Sequence, residues 1–114
     1  MKDKIVFDIE TKNSFEDVGG RDNLEKLDAS VVCVYSYNHD TYASYRESEF
    51  TKLAPVFQNA GLIIGFAISR FDLPVMKKYM PFNVMALPRL DILDEIELVY
   101  GSRVSLDILA KTNL

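Results

Sequence analysis

The sequence predicts an α/β domain built on a mixed sheet, and three observations carry that prediction. Residues 4–10 read as a strand, and the β-branched and aromatic run at 30–37 turns at Asn38-His39-Asp40 and returns over 41–46 as a hairpin. Leu62-Ile63-Ile64-Gly65-Phe66 is a short, wholly apolar run, as in a strand buried on both faces. Helical patterns flank that run, so the helices belong on the faces of the sheet. An antiparallel hairpin beside a later buried strand points away from a plain doubly wound sheet.

The elements follow in order. Asn13 to Asp28 is polar, and with Gly19-Gly20 inside it reads as a long, flexible loop holding at most a helical turn. Phe50, Leu53, Ala54 and Phe57 recur at the spacing of an amphipathic helix. Pro55 fits that helix best in its first turn, so a start near Thr51 is expected, with Gly61 as the stop. Asp72 to Met80 suits a short helix ended by Pro81, and Val84 to Ile92 a strand broken at Pro88. Asp91 to Tyr100 reads as a helix stopped by Gly101, and another begins at Ser105.

The chain has 114 residues, 13 Lys+Arg against 17 Asp+Glu, and a net charge of −4. That length predicts one domain over residues 1–114 with a real core. The acidic balance excludes a polybasic nucleic-acid binder but not a nucleic-acid enzyme, because cations can neutralise an acidic site that handles phosphates. Cys33 is the one cysteine and lies in the apolar run Val31-Val32-Cys33-Val34-Tyr35, so a buried free thiol in a reducing compartment is expected. No signal-peptide core or membrane-length apolar run is present, and a cytoplasmic location is expected.

Asp is depleted in strands, yet Asp8 sits between Phe7 and Ile9 in the first one. Alternation places Asp8 and Glu10 on one face, about 7 Å apart, where they repel. A divalent cation with oxygen ligands would remove that cost, although an acidic strand end facing water would read the same way. The second feature is Gly65-Phe66-Ala67-Ile68-Ser69-Arg70-Phe71-Asp72-Leu73-Pro74. Here a buried strand runs into a loop and Asp72 opens a helix, either as a site residue or as the cap of a Ser69-x-x-Asp72 box. Arg70, Lys77 and Lys78 flank Asp72 and can form a basic strip along a phosphate backbone, or serve only as solubility charges. His39 reads as an exposed turn residue, and the tyrosines at 35, 37, 42 and 45 as hairpin packing.

Taken together, Phe7-Asp8-Ile9-Glu10-Thr11 resembles the first motif of the DEDD-type 3′–5′ exonuclease superfamily, which has an RNase H-like fold. The stretch from Gly65 to Pro74 resembles the second motif in its DNA polymerase B-like form. Arg89-Leu90-Asp91-Ile92-Leu93 and Ser105-Leu106-Asp107-Ile108-Leu109-Ala110 resemble the stretch after that motif in cellular members. The resemblance implies removal of nucleotides from the 3′ end of single-stranded DNA or RNA at a site for two Mg²⁺ or Mn²⁺ ions. Asp8 would bridge both ions, Glu10 and Asp72 would each ligate one, and the backbone at Thr11 would lie near the terminal nucleotide.

Two departures accompany the resemblance. Ala67 stands where the family's second motif usually has a substrate-positioning Asn. The third motif, with a fourth carboxylate and a Tyr or His, is absent, so the domain is expected to lack its last elements. Asp91, Asp94 and Asp107 are candidates for that carboxylate only by elimination, against a solvated or capping role. A non-catalytic binding module that kept the fold is the alternative, and exposed apolar surface at an incomplete edge would favour a homodimer.

Overall fold

The computed structural model describes residues 2–100. Five strands, β1 (Asp3–Thr11), β2 (Ala29–Ser36), β3 (Thr41–Arg46), β4 (Ala60–Gly65) and β5 (Arg89–Asp91), form one sheet in the order β3-β2-β1-β4-β5. β1 pairs antiparallel with β2 and parallel with β4, so the sheet is mixed, as the sequence predicts. Ile5, Phe7 and Ile9 are buried while Lys4, Asp8 and Glu10 are exposed, because a strand alternates its side chains. The irregular register between Glu10 and Thr11 ends that alternation beside the acidic pair.

The buried face of the sheet is covered by α1 (Phe50–Gln58), which buries Phe50, Leu53, Ala54 and Phe57. Phe57 meets Phe7 edge-on at 5.0 Å between ring centroids. Pro55 lies in the interior of α1, beyond the first turn expected for it. Its missing N–H leaves the Thr51 carbonyl unbonded within the helix, and both residues face water, which relieves that loss.

The segment from Lys12 to Asp28 contains a 3₁₀ stretch at Arg21–Lys26 and is tied down along its length. The Lys12 N–H bonds the Asp28 carbonyl at 2.7 Å, and the Asn13 side chain accepts from the Asp28 N–H at 2.9 Å. The Lys78 ammonium donates to the Leu27 carbonyl at 2.6 Å and to Asp28 at 2.8 Å, while Tyr79 Oη accepts from the Ala29 N–H at 3.0 Å. Gly19 and Gly20 are turn positions with φ of 88° and 117°, which suit glycine, and Gly20 bonds back to Phe15.

Two further expectations need correction. Cys33 is exposed, because on this strand Val32 and Val34 take the buried face and Cys33 the other. The helix expected from Asp72 begins earlier, with a π-helical turn at Ile68–Asp72 that runs into α2 (Leu73–Met76) and a 3₁₀ turn at Lys77–Tyr79. After a 3₁₀ turn at Val84–Ala86, β5 follows Pro88 and leads into α3 (Ile92–Tyr100). The helix expected from Ser105, and Asp107 within it, lie outside the described residues.

Candidate active site

Asp8 and Glu10 leave the open face of β1 together, and Asp72 reaches the same end of the sheet from the turn after β4. Asp72 is 4% exposed, and its Oδ2 is a buried polar atom with no hydrogen-bond partner. Burial pushes its carboxyl up to about 7, and the neighbouring Asp8 adds to the rise; the backbone N–H groups of Ile9 and of Asp72 itself pull the other way. Two acidic groups share a small space there, one of them with an unused oxygen, a donor set suited to a hard cation. Glu10 stands apart from that pair: among the described residues no three Asp, Glu, His or Cys side chains converge closely enough to hold one ion.

Asp72 lies within the helical turn, with φ −58° and ψ −50° and no capping bond from its side chain, so the Ser69-x-x-Asp72 box does not form. The cap comes instead from Asp91, which is 4% exposed at the end of β5. Its Oδ1 accepts from the N–H groups of Ala67 at 2.9 Å and Leu93 at 3.0 Å, and its Oδ2 from that of Ser69 at 2.9 Å. Both oxygens are thus committed to backbone, which is the capping role. Asp94 sits on the surface, its carboxylate 3.4 Å from the Arg70 guanidinium. The sequence signal for Asp91 as a cap was its place directly before Ile92-Leu93, at the start of a helical pattern.

The flanking cations differ in their engagement. Arg70 donates to both carboxylate oxygens of Glu97, at 2.7 and 2.5 Å, and Lys78 is held by the loop before β2. The Lys77 side chain is exposed, with no ion pair or hydrogen bond among the described residues. The Thr11 hydroxyl donates to the Asn13 carbonyl at 3.0 Å. On the open face of the hairpin, Tyr35 packs against Tyr37 and Tyr42 with ring centroids 5.4 and 4.8 Å apart, the cross-strand packing the sequence indicated. Cys33 is the register partner of Asp8 on that same face.

The described residues form an α/β fold with a mixed five-stranded sheet and flanking helices. Solved structures agree. The zinc-bound complex of Escherichia coli exonuclease I with single-stranded DNA matches with a TM-score of 0.64 at 11% identity, over 89% of this chain and 30% of that one. The same enzyme with a dA16 oligonucleotide gives a TM-score of 0.61, again at 11% identity, over 89% and 30%. The family B DNA polymerase of Pyrobaculum calidifontis matches with a TM-score of 0.50 at 13% identity, over 69% of this chain and 11% of that one. The chain thus spans less than a third of the length of these proteins. No family model and no curated protein sequence matches it. No helix among the described residues is long and apolar enough to cross a membrane.

Proposed function

We propose that residues 1–114 form a metal-dependent 3′–5′ exonuclease domain that hydrolyses the terminal phosphodiester bond of single-stranded DNA or RNA. The observation that carries this reading is the buried, unpartnered Oδ2 of Asp72 beside Asp8. Asp8, Glu10 and Asp72 would hold Mg²⁺ or Mn²⁺, with Glu10 drawn in from the next outward position of β1. A bound divalent cation supplies charge neutralisation and Lewis acidity toward the phosphodiester. The protein's own part is positional. Asp8 and Glu10 ride on the part of β1 that pairs with β2, beyond the end of its pairing with β4, and the Ile9 N–H supports the ionised form of Asp72. Thr11 lies at the chain exit from that strand, and its backbone would meet the terminal nucleotide there. Lys77 is the cation available to a phosphate, while Arg70 and Lys78 act there only by exchanging their present partners.

The test is Mn²⁺-dependent digestion of 5′-labelled single-stranded DNA and RNA, beside Asp8→Ala. A ladder shortening from the 3′ end, absent in the mutant, is expected. No cleavage, with Asp8-dependent Mn²⁺ binding intact, would favour the second reading, a non-catalytic nucleic-acid-binding module. The separation of Glu10 from the Asp8–Asp72 pair, together with Ala67, speaks for that alternative. Leu98 and Val99 on α3 are 80% and 76% exposed, and we propose that they support a homodimer. Sedimentation as a monomer at high concentration would refute it.

A further inference from the structure

We propose that Asp91 is a positioning residue for Asp72, a role that rests on the metal-site reading above. The turn from Ala67 to Asp72 has no cap of its own: Ala67 sits in the left-handed region at φ 59°, and no side chain within the turn closes its start. Its first N–H groups would be orphaned in a buried place, which costs free energy unless an acceptor is supplied. Asp91 supplies it from β5, one strand away, where the register sets Asp91 opposite Gly65. One carboxylate thereby starts two helical segments, the turn through Ala67 and Ser69 and α3 through Leu93.

Neighbouring contacts act in the same direction. Arg89 Nε donates to the Ser69 hydroxyl at 2.7 Å, and Arg70 grips Glu97 on α3. Thus the segment 89–97 holds the turn at three successive points, Ala67, Ser69 and Arg70. Asp72 lies two residues beyond Arg70, and between them the Phe71 N–H closes a bond to the Ala67 carbonyl at 3.0 Å. A π-helical turn is a strained form that persists where surrounding contacts fix it, often at functional sites. Where Oδ2 of Asp72 lies relative to Asp8 is therefore set by Asp91, whose hydrogen bonds go to Ala67, Ser69 and Leu93 rather than to either carboxylate.

Asp91→Asn retains one carbonyl oxygen and loses the second acceptor, so one of the two arms onto the turn must open. The test compares Mn²⁺ affinity of the full chain by calorimetry in the parent, Asp91→Asn, Arg89→Ala and Leu53→Ala, with amide exchange at Phe71 measured without metal. Supporting groups behind metal ligands are worth roughly 10- to 100-fold in affinity, and a weakening of that size is expected for Asp91→Asn. Arg89→Ala should weaken binding less, in the same direction. Leu53→Ala removes a fully buried side chain of α1 and should lower stability without changing affinity. Unchanged affinity in Asp91→Asn, or an equal loss in Leu53→Ala, would overturn the proposal. If the parent shows no Asp8-dependent Mn²⁺ binding, the metal-site reading has failed, and Phe71 exchange decides whether Asp91 sets the turn. Faster exchange in Asp91→Asn supports that hold, and unchanged exchange overturns it.

Discussion

Asp72→Asn tests the electrostatics of the site without metal or substrate. In the folded chain the Asp72 carboxyl titrates at about 7, against an ordinary value of 3.8, because it is buried and faces Asp8. A raised acid binds its proton more tightly when folded, so its stabilising effect is complete below pH 4 and disappears as pH rises through 7. Each pH unit between those values removes about 1.4 kcal/mol, and integration from pH 5 to pH 8 gives a loss of about 2.5 kcal/mol. Asp28 and Glu47 do not mask this slope. Their pairing with Lys78 and Lys12 holds them below the ordinary carboxylate range, so they stay ionised across that window. Urea unfolding at pH 5 and pH 8 reads the difference directly, and the asparagine variant should lose it. Saturating Mn²⁺ should also restore stability at pH 8 in the parent by neutralising the ionised, buried carboxylate. An equal pH difference in parent and variant would refute the reasoning.

Other expected outcomes rest on single contacts. Ala67→Gly should stabilise the chain by about 1 kcal/mol in urea unfolding, since φ 59° is strained for alanine and free for glycine; a loss of stability would contradict that geometry. Gly65→Ala would set a Cβ 2.3 Å from Ile68 Cγ2 and 3.1 Å from the Phe7 carbonyl, and a cost of about 1–3 kcal/mol is expected from the melting midpoint. Alkylation of Cys33 with a bulky maleimide should proceed in the folded chain and weaken Mn²⁺ binding, because the thiol is exposed across the strand pair from Asp8. Protection of Cys33 from the reagent, or unaltered Mn²⁺ affinity after full labelling, would count against that placement.

Much of this architecture was legible in the sequence, because its signals are local. The period of two in β1 separates Asp8 and Glu10 from the core, and the turn at 38–40 fixes the hairpin that makes the sheet mixed. The 3.6-residue spacing of Phe50, Leu53 and Phe57 marked α1 despite Pro55. The features that were not legible depend on distant partners. Asp72 looks like a helix cap until Asp91 arrives from another strand to take that role. Cys33 lies in an apolar run, and burial of only one face of β2 cannot be read from such a run. The engagement of Arg70 and Lys78 likewise depends on Glu97 and on the segment before β2.

The segment between β1 and β2 is coupled to the turn that carries Asp72. Phe15 packs edge-on against Phe71, the residue before Asp72, with ring centroids 5.8 Å apart, and the Arg21 guanidinium lies over the Phe15 ring at 4.8 Å from its centroid. Together with the ties at Asn13, Asp28 and Ala29, this fixes the segment against the turn that carries Asp72. Displacing the segment would therefore disturb Phe71, and with it the place of the neighbouring Asp72.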